Sequence, residues 1–181
     1  MKLVIAGDGM VGKTTLRKQF LERKFKPTYV ATLGAEYSLK RMKVGLETYK
    51  FQFWDLSGQK AFSLIRERFY RGMKGAIVVF DITKRESFEN LEYWIEEIQE
   101  SIYKLHPNSK IPICIIANKI DLIEEKMTDY VKTDEIIEKV KNLEIKFEIL
   151  ENLEFFLTSA KTGEGVDLAF ESFTKKVIKG E

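Results

Sequence analysis

Gly7-Asp8-Gly9-Met10-Val11-Gly12-Lys13-Thr14 is the stretch on which the reading of this chain turns. It follows the apolar run Leu3–Ala6 and leads into an amphipathic segment, Thr14–Arg23, so it joins a buried strand to a helix. Its spacing is G-x-x-x-x-G-K-[ST], the pattern of a loop that wraps a phosphate. Gly7 and Gly12 let the backbone turn successive N–H groups inward, and the helix behind them aims its positive dipole end at the anion. The candidate phosphate-binding residues are therefore Gly9, Met10, Val11, Gly12, Lys13, Thr14 and Thr15. Lys13 supplies a mobile cation for the β- and γ-phosphates, and the Thr14 hydroxyl is a hard oxygen suited to Mg²⁺. The same glycines also satisfy G-x-G-x-x-G, a dinucleotide fingerprint that needs an acidic residue ending the next strand. Glu36 lies near the required distance but opens a strand-like run, and Lys13-Thr14 has no role in such a site.

Outward from that loop, apolar runs of strand length alternate with helical patterns. Ala76–Phe80 and Ile113–Ala117 are short, β-rich and free of charge, as strands covered on both faces should be. Glu86–Leu105 carries Phe88, Leu91, Trp94 or Ile95, Ile98 and Ile102 at helical spacing; Thr133–Leu143 and Val166–Val177 read likewise. Tyr37–Met42 and Leu46–Trp54 are strand-like and are joined by Lys43-Val44-Gly45, which predicts a hairpin. The pattern predicts one α/β domain spanning 1–181: a mostly parallel six-stranded sheet with one antiparallel edge strand and helices on both faces. Ligands of such sheets bind beyond the carboxyl ends of the strands, so the chemistry should follow the strands.

Three further motifs fall in those places. Asp55 ends the second hairpin strand in Trp54-Asp55-Leu56-Ser57-Gly58-Gln59, where a carboxylate can hold Mg²⁺ through water, the Gly58 N–H can approach a γ-phosphate oxygen, and Gln59 can orient an attacking water. Asn118-Lys119-Ile120-Asp121 follows the strand Ile113–Ala117. The Asp121 carboxylate can accept from both N1–H and the exocyclic amine of guanine. Adenine would leave it desolvated and unpaired, a discrimination of about 10⁴-fold. In Thr158-Ser159-Ala160-Lys161, the Ala160 N–H could meet the base carbonyl and the Lys161 stem could cover the ring.

In this order and spacing the motifs resemble the Ras superfamily, and most of all its Rab branch, from Leu3 to about Val177. The resemblance implies a P-loop NTPase G domain: a GTP hydrolase that cycles between GTP and GDP with Mg²⁺ as cofactor. Tyr29–Tyr37 resembles switch I of Rab proteins, so Thr32 is implied to ligate Mg²⁺ beside Thr14 and Asp55 and to sense the γ-phosphate. Phe25 matches an aromatic that packs on guanine, and Tyr29 one that covers the phosphates. Gln59, Lys13 and Thr32 are the implied catalytic residues. Asn118, Lys119, Asp121, Ser159, Ala160 and Lys161 are the implied base-binding set. Phe69–Asp81 and Glu86–Phe88 are also Rab-like, and Tyr37, Trp54 and Phe69 fall where Rab proteins present an aromatic readout of switch state, although core packing is the plainer reading of the residues alone. Implied partners are a GTPase-activating protein, an exchange factor and effectors, all meeting switch I and switch II of a monomer. A non-cycling, nucleotide-bound scaffold is the alternative within the same fold.

Departures from the family are as informative. Met10 replaces a small residue, while Gly9, where bulk would block the hydrolytic geometry, is kept. The Glu124–Leu157 region is longer than is typical, through a longer helix, an added strand or a partner-specific surface. No C-terminal cysteine is present to carry a prenyl group, so membrane contact is expected to be indirect or through a missing tail. Arg66, Arg68 and Arg71 in switch II read as a solvated face, and no arginine is placed by motif to act in cis, so turnover should be slow, on the order of 10⁻⁴ to 10⁻³ s⁻¹.

Bulk properties fit this reading. Apolar residues make up 44% and charged residues 32%, with a net charge of +2, which argues for a globular domain and against a nucleic-acid surface. The lone Cys114 sits in an apolar run and reads as packing, compatible with a cytoplasmic protein; the lone His106, before Pro107, is assigned no chemistry.

Overall fold

A computed structural model describes residues 1–22, 32–104, 110–123, 129–147, 149–150 and 152–180. Phe25, Tyr29 and His106 lie outside the described residues. The elements run β1 (Lys2–Ala6), α1 (Lys13–Glu22), β2 (Ala35–Val44), β3 (Glu47–Leu56), α2 (Ser63–Tyr70), β4 (Gly75–Asp81), α3 (Arg85–Glu89), α4 (Leu91–Tyr103), β5 (Ile113–Asn118), α5 (Thr133–Lys146), β6 (Glu154–Thr158) and α6 (Val166–Lys179). The strands form one six-stranded sheet in the order β2-β3-β1-β4-β5-β6. Every pairing is parallel except β2 with β3, so the expected antiparallel edge strand is β2.

Alternation along the central strands builds two cores. Leu3, Ile5, Ile77, Val79, Cys114 and Ile116 face one side and meet Leu16 and Phe20 of α1 and Phe170, Phe173 and Val177 of α6. Val4, Ala6, Val78, Phe80 and Ile115 face the other and meet Trp94, Ile95 and Ile98 of α4 and Ile136 and Val140 of α5. β1, β4 and β5 can be apolar throughout because both faces are covered. The phosphate loop therefore starts from a strand gripped on four sides.

Three expectations are corrected. The hairpin turn is Gly45-Leu46, because Val44 pairs with Glu47. Gly45 takes a positive φ of 63°, which suits the first position of a two-residue turn, while Leu46 is 97% exposed. The helix expected over Glu86–Leu105 is interrupted at Asn90, whose ψ of −3° separates α3 from α4. Apolar spacing runs through the break, so periodicity alone does not reveal it. The helix expected over Thr133–Leu143 runs on to Lys146, and beyond it Phe147, Ile149, Leu150 and Leu153 are buried in the core that α4 and α5 share.

Candidate functional site: a phosphate loop facing a hydroxyl and carboxylate cluster

Between β1 and α1 the chain closes around the Lys13 side chain. Its Nζ donates to the carbonyls of Gly7 (2.7 Å) and Asp8 (2.6 Å), and the residue is 6% exposed. Burial lowers its pKa to about 8. Close approach accounts for Gly7, where a Cβ would lie 2.1 Å from the Val79 carbonyl oxygen, and for two further glycines. A Cβ on Gly12 would lie 2.3 Å from Asn118 Nδ2, and one on Gly58 would lie 2.3 Å from the backbone of Asp8 and Gly9. A Cβ on Gly9 would meet nothing within 4 Å, so no protein neighbour explains the glycine there. Met10 is exposed and takes a left-handed φ of 67° that most side chains avoid. Val11 is buried, and Thr15 is half-buried in the first turn of α1.

Three elements bring oxygen ligands together beside this loop. The Thr14 hydroxyl, from α1, donates to Asp55 Oδ2 at the end of β3. Thr32, just before β2, places its Oγ1 3.3 Å from that of Thr14. Asp55 is wholly buried, and its Oδ1 has no hydrogen-bond partner among the described residues. Burial raises the carboxyl's pKa, opposed by the Thr14 hydrogen bond and by Lys13 and Arg17. An orphaned carboxylate oxygen with two hydroxyls alongside is a hard-oxygen set that could hold Mg²⁺, and it has little to offer a soft metal. The residues present fit that cation.

At the other end of the loop, Asn118 is a tie between three segments. Its Nδ2 donates to the Val11 carbonyl (2.8 Å), and its Oδ1 accepts from Thr158 Oγ1 (3.1 Å) and from the Ala160 N–H (3.0 Å). The Ala160 N–H expected at a base carbonyl thus already has an acceptor and could meet a base only by sharing. Asp121 Oδ1 accepts from Ser159 Oγ (2.6 Å), and Lys161 Nζ stands 3.7 Å from Oδ2. The carboxylate is oriented by two residues expected to touch the base themselves. Lys119, at a left-handed φ of 72°, forms an ion pair with the buried Asp81 (2.7 Å).

The segment from Gly58 to Arg71 contains the main correction. Arg68 and Arg71 are exposed as expected, but Arg66 is fully buried. Its guanidinium donates to both oxygens of Glu97 on α4 (2.8 and 2.7 Å), to the carbonyls of Ser57 (3.1 Å) and Gln59 (2.8 Å), and to the Tyr93 hydroxyl (3.1 Å). It also lies over the Trp94 ring, 4.5 Å from its centroid. Trp94 in turn donates from Nε1 to Asp8 Oδ1 (2.7 Å), and Asn90 donates to Asp8 Oδ2 (2.8 Å). The phosphate loop, α4 and the segment carrying Gln59 are therefore one hydrogen-bonded unit. The backbone of Gln59 is fixed while the residue itself is exposed.

Sequence reasoning missed Asp8, Arg17, Arg66, Asn90 and Glu97. Arg17 had a signal: Lys13, Leu16, Arg17 and Phe20 are spaced as one helical face, and all four are buried. The others depend on partners tens of residues away and left no local mark.

Comparison with known proteins points the same way. A Ras family profile matches residues 2–179. Over 181 residues the chain is 35% identical to the Ras-related protein RABG3d of Arabidopsis thaliana, covering 100% of this chain and 84% of that protein. Over 178 residues it is 33% identical to the Ras-related protein Rab-2B of Dictyostelium discoideum, covering 98% of this chain and 80% of that relative.

Proposed function

Because this chain belongs to the Ras superfamily, on its Rab branch, and is accordingly a small GTPase that hydrolyses GTP, we propose that it works as a switch that binds GTP or GDP with Mg²⁺ and signals through the segments around Thr32 and from Gly58 to Arg71. The observation that carries this reading is the meeting of three separate segments: Thr14 donates to Asp55 Oδ2, Thr32 brings its hydroxyl to that of Thr14, and Asp55 Oδ1 is left without a partner among the described residues. The Thr32 and Thr14 hydroxyls stand close enough to serve a common ligand.

Mg²⁺, which Thr14, Thr32 and Asp55 would hold, would screen phosphate charge. The chain's own residues supply the rest. Lys13 places its ammonium against the phosphates, and the main-chain N–H groups of Gly9 to Thr15 surround them. Gln59 orients the attacking water from a backbone that Arg66 holds. Arg66 has its guanidinium committed to Glu97 and to loop carbonyls, so it positions the loop and leaves the transition-state charge to others. Hydrolysis is then slow without a partner's arginine. Asp121, aligned by Ser159 and Lys161, accepts from N1–H and the amine of guanine.

Calorimetry in magnesium buffer tests the assignment. GTP and GDP should bind tightly and ATP about 10⁴-fold more weakly, the contrast expected when an acceptor desolvated by the bound base loses its donors. ATP competing on equal terms, or no nucleotide binding at all, would end it.

A further inference from the structure

Arg17 takes no part in the mechanism above, yet it is a charge placed in the interior beside the cation site. It is 4% exposed and lies on the face of α1 that carries Lys13, Leu16 and Phe20. Its guanidinium reaches three groups. Nη2 pairs with Glu36 Oε2 at 2.7 Å, and Nη1 donates to Ser38 Oγ, both on β2. Nε stands 3.9 Å from Asp55 Oδ2, just beyond hydrogen-bond distance, and has no acceptor among the described residues. One edge of the fork is thus satisfied by β2, and the other looks at the carboxylate of the cation site without touching it. Leaving a guanidinium N–H unpaired in the interior is costly, so the position needs a reason. An aliphatic residue on the Leu16–Phe20 face would fill the same space at no such cost.

We propose that Arg17 is a positioning residue through which the docking of β2 sets the strength of the Mg²⁺ site. While Glu36 and Ser38 hold the guanidinium, its charge is kept back from Asp55, which is left for the metal. When the start of β2 withdraws, Arg17 keeps its place in the interior but loses both partners. A buried cation does not stay unpaired. Asp55 is the anion within reach, and a shift of about 1 Å brings Nε to hydrogen-bond distance of Oδ2. Arg17 and Mg²⁺ then compete for one carboxylate, and the metal is held less firmly. Linkage requires the converse as well: a metal at Asp55 repels the guanidinium toward Glu36 and Ser38 and so favours docked β2. Because β2 begins three residues after Thr32, release of that segment and loosening of the metal become one event. Glu36 is more than half exposed, so solvent screens part of its hold on Arg17, and the coupling belongs at the low end of the usual range.

This inference rests on the GTP·Mg²⁺ reading, and the test separates the two. Protein loaded with a fluorescent GDP is diluted into excess GDP at graded free Mg²⁺, and the Mg²⁺ concentration giving half-maximal slowing of release is recorded. Arg17→Met, which keeps volume and removes charge, should lower that midpoint by about fivefold to tenfold. Glu36→Gln should raise it, since Arg17 is then freer to turn to Asp55. In the Arg17→Met background, Glu36→Gln should change nothing. Arg17→Lys should bring the midpoint back toward wild type, because it restores charge without the fork. A midpoint for Arg17→Met within twofold of wild type, or a Glu36→Gln effect that persists without Arg17, overturns the proposal. If Arg17→Met does not fold, Ser38→Ala with Glu36→Gln asks the same question from the β2 side, and an unchanged midpoint is again fatal. Release from the wild type that ignores Mg²⁺ altogether defeats the magnesium reading itself, a result distinct from these.

Discussion

Gln59 is exposed on its side chain and fixed in its backbone, which is the arrangement a water-orienting residue requires: a settled origin and a free amide. Replacing it by leucine removes the amide and leaves the Arg66 bond to its carbonyl in place. Gln59→Leu should therefore slow single-turnover GTP hydrolysis by roughly 10- to 100-fold, or about 1.4–2.8 kcal/mol of transition-state stabilisation, while GTP affinity stays within twofold. Equal rates would remove Gln59 from the reaction. Gly58, one residue earlier, is constrained differently. A methyl group there would sit 2.3 Å from the backbone of the phosphate loop, so one of the two segments must retreat. Gly58→Ala should lower the melting temperature of the nucleotide-free protein, with a loss of about 1–3 kcal/mol as for other overpacked positions. Gly9→Ala should leave that melting temperature unchanged, because its Cβ enters open space. A common response to both substitutions would contradict the geometry.

At the scale of elements, α2 is fastened to α4 by charge. Glu97 accepts from Arg66, Tyr70 and Tyr93. Burial alone would raise its pKa, but these bonds prevail and hold the carboxyl below its ordinary value. The stability it contributes is then fully present above the ordinary glutamate pKa and is lost as pH falls through the lowered folded value. Glu97→Gln should cost about 1.5–3 kcal/mol at neutral pH, the range for hydrogen bonds to charged groups. That difference from wild type should shrink as pH drops below about 4. Denaturant melts at neutral pH and in the acid range measure it, and a gap independent of pH would argue that the carboxylate's charge is not what binds α2. This clamp was not legible in the sequence. Periodicity counts apolar residues and assigns charges to solvent, so Arg66 read as a solvated residue, and the break at Asn90 passed unseen because apolar spacing continues across it. The strands and the phosphate loop were legible, because each is dictated by local composition: β1, β4 and β5 by unbroken apolar runs, the loop by glycines at positions where side chains would collide. Arg17 lay between these cases, marked by its place on the buried stripe of α1 but explained only by residues of β2 and β3.

For the molecule as a whole, the proposed switch requires the segment around Thr32 and that from Gly58 to Arg71 to respond together. Trp54 on β3 offers the physical link. Its ring stacks on Tyr37 of β2 with centroids 5.0 Å apart, and lies 5.7 Å from Phe69 of α2. Lys2 Nζ stands 4.6 Å from the same ring. Tyr37 follows Thr32 by five positions, and Phe69 belongs to the segment that begins at Gly58, so the indole touches both regions through which the protein is proposed to signal. Core packing, the plainer explanation of the three aromatics, does not account for Tyr37 being 57% exposed. Trp94, the other tryptophan, is 2% exposed and has its Nε1–H committed to Asp8, so its surroundings should alter less. Exchanging GDP for a non-hydrolysable GTP analogue should therefore change the intrinsic tryptophan emission, and the change should vanish in Trp54→Phe. It should survive Leu46→Ala at the far hairpin turn, where the side chain is 97% exposed. If the emission change remained in Trp54→Phe, the signal would belong to Trp94. The coupling between nucleotide and surface would then run through Asp8 and α4, leaving the aromatic contacts of β2, β3 and α2 as packing.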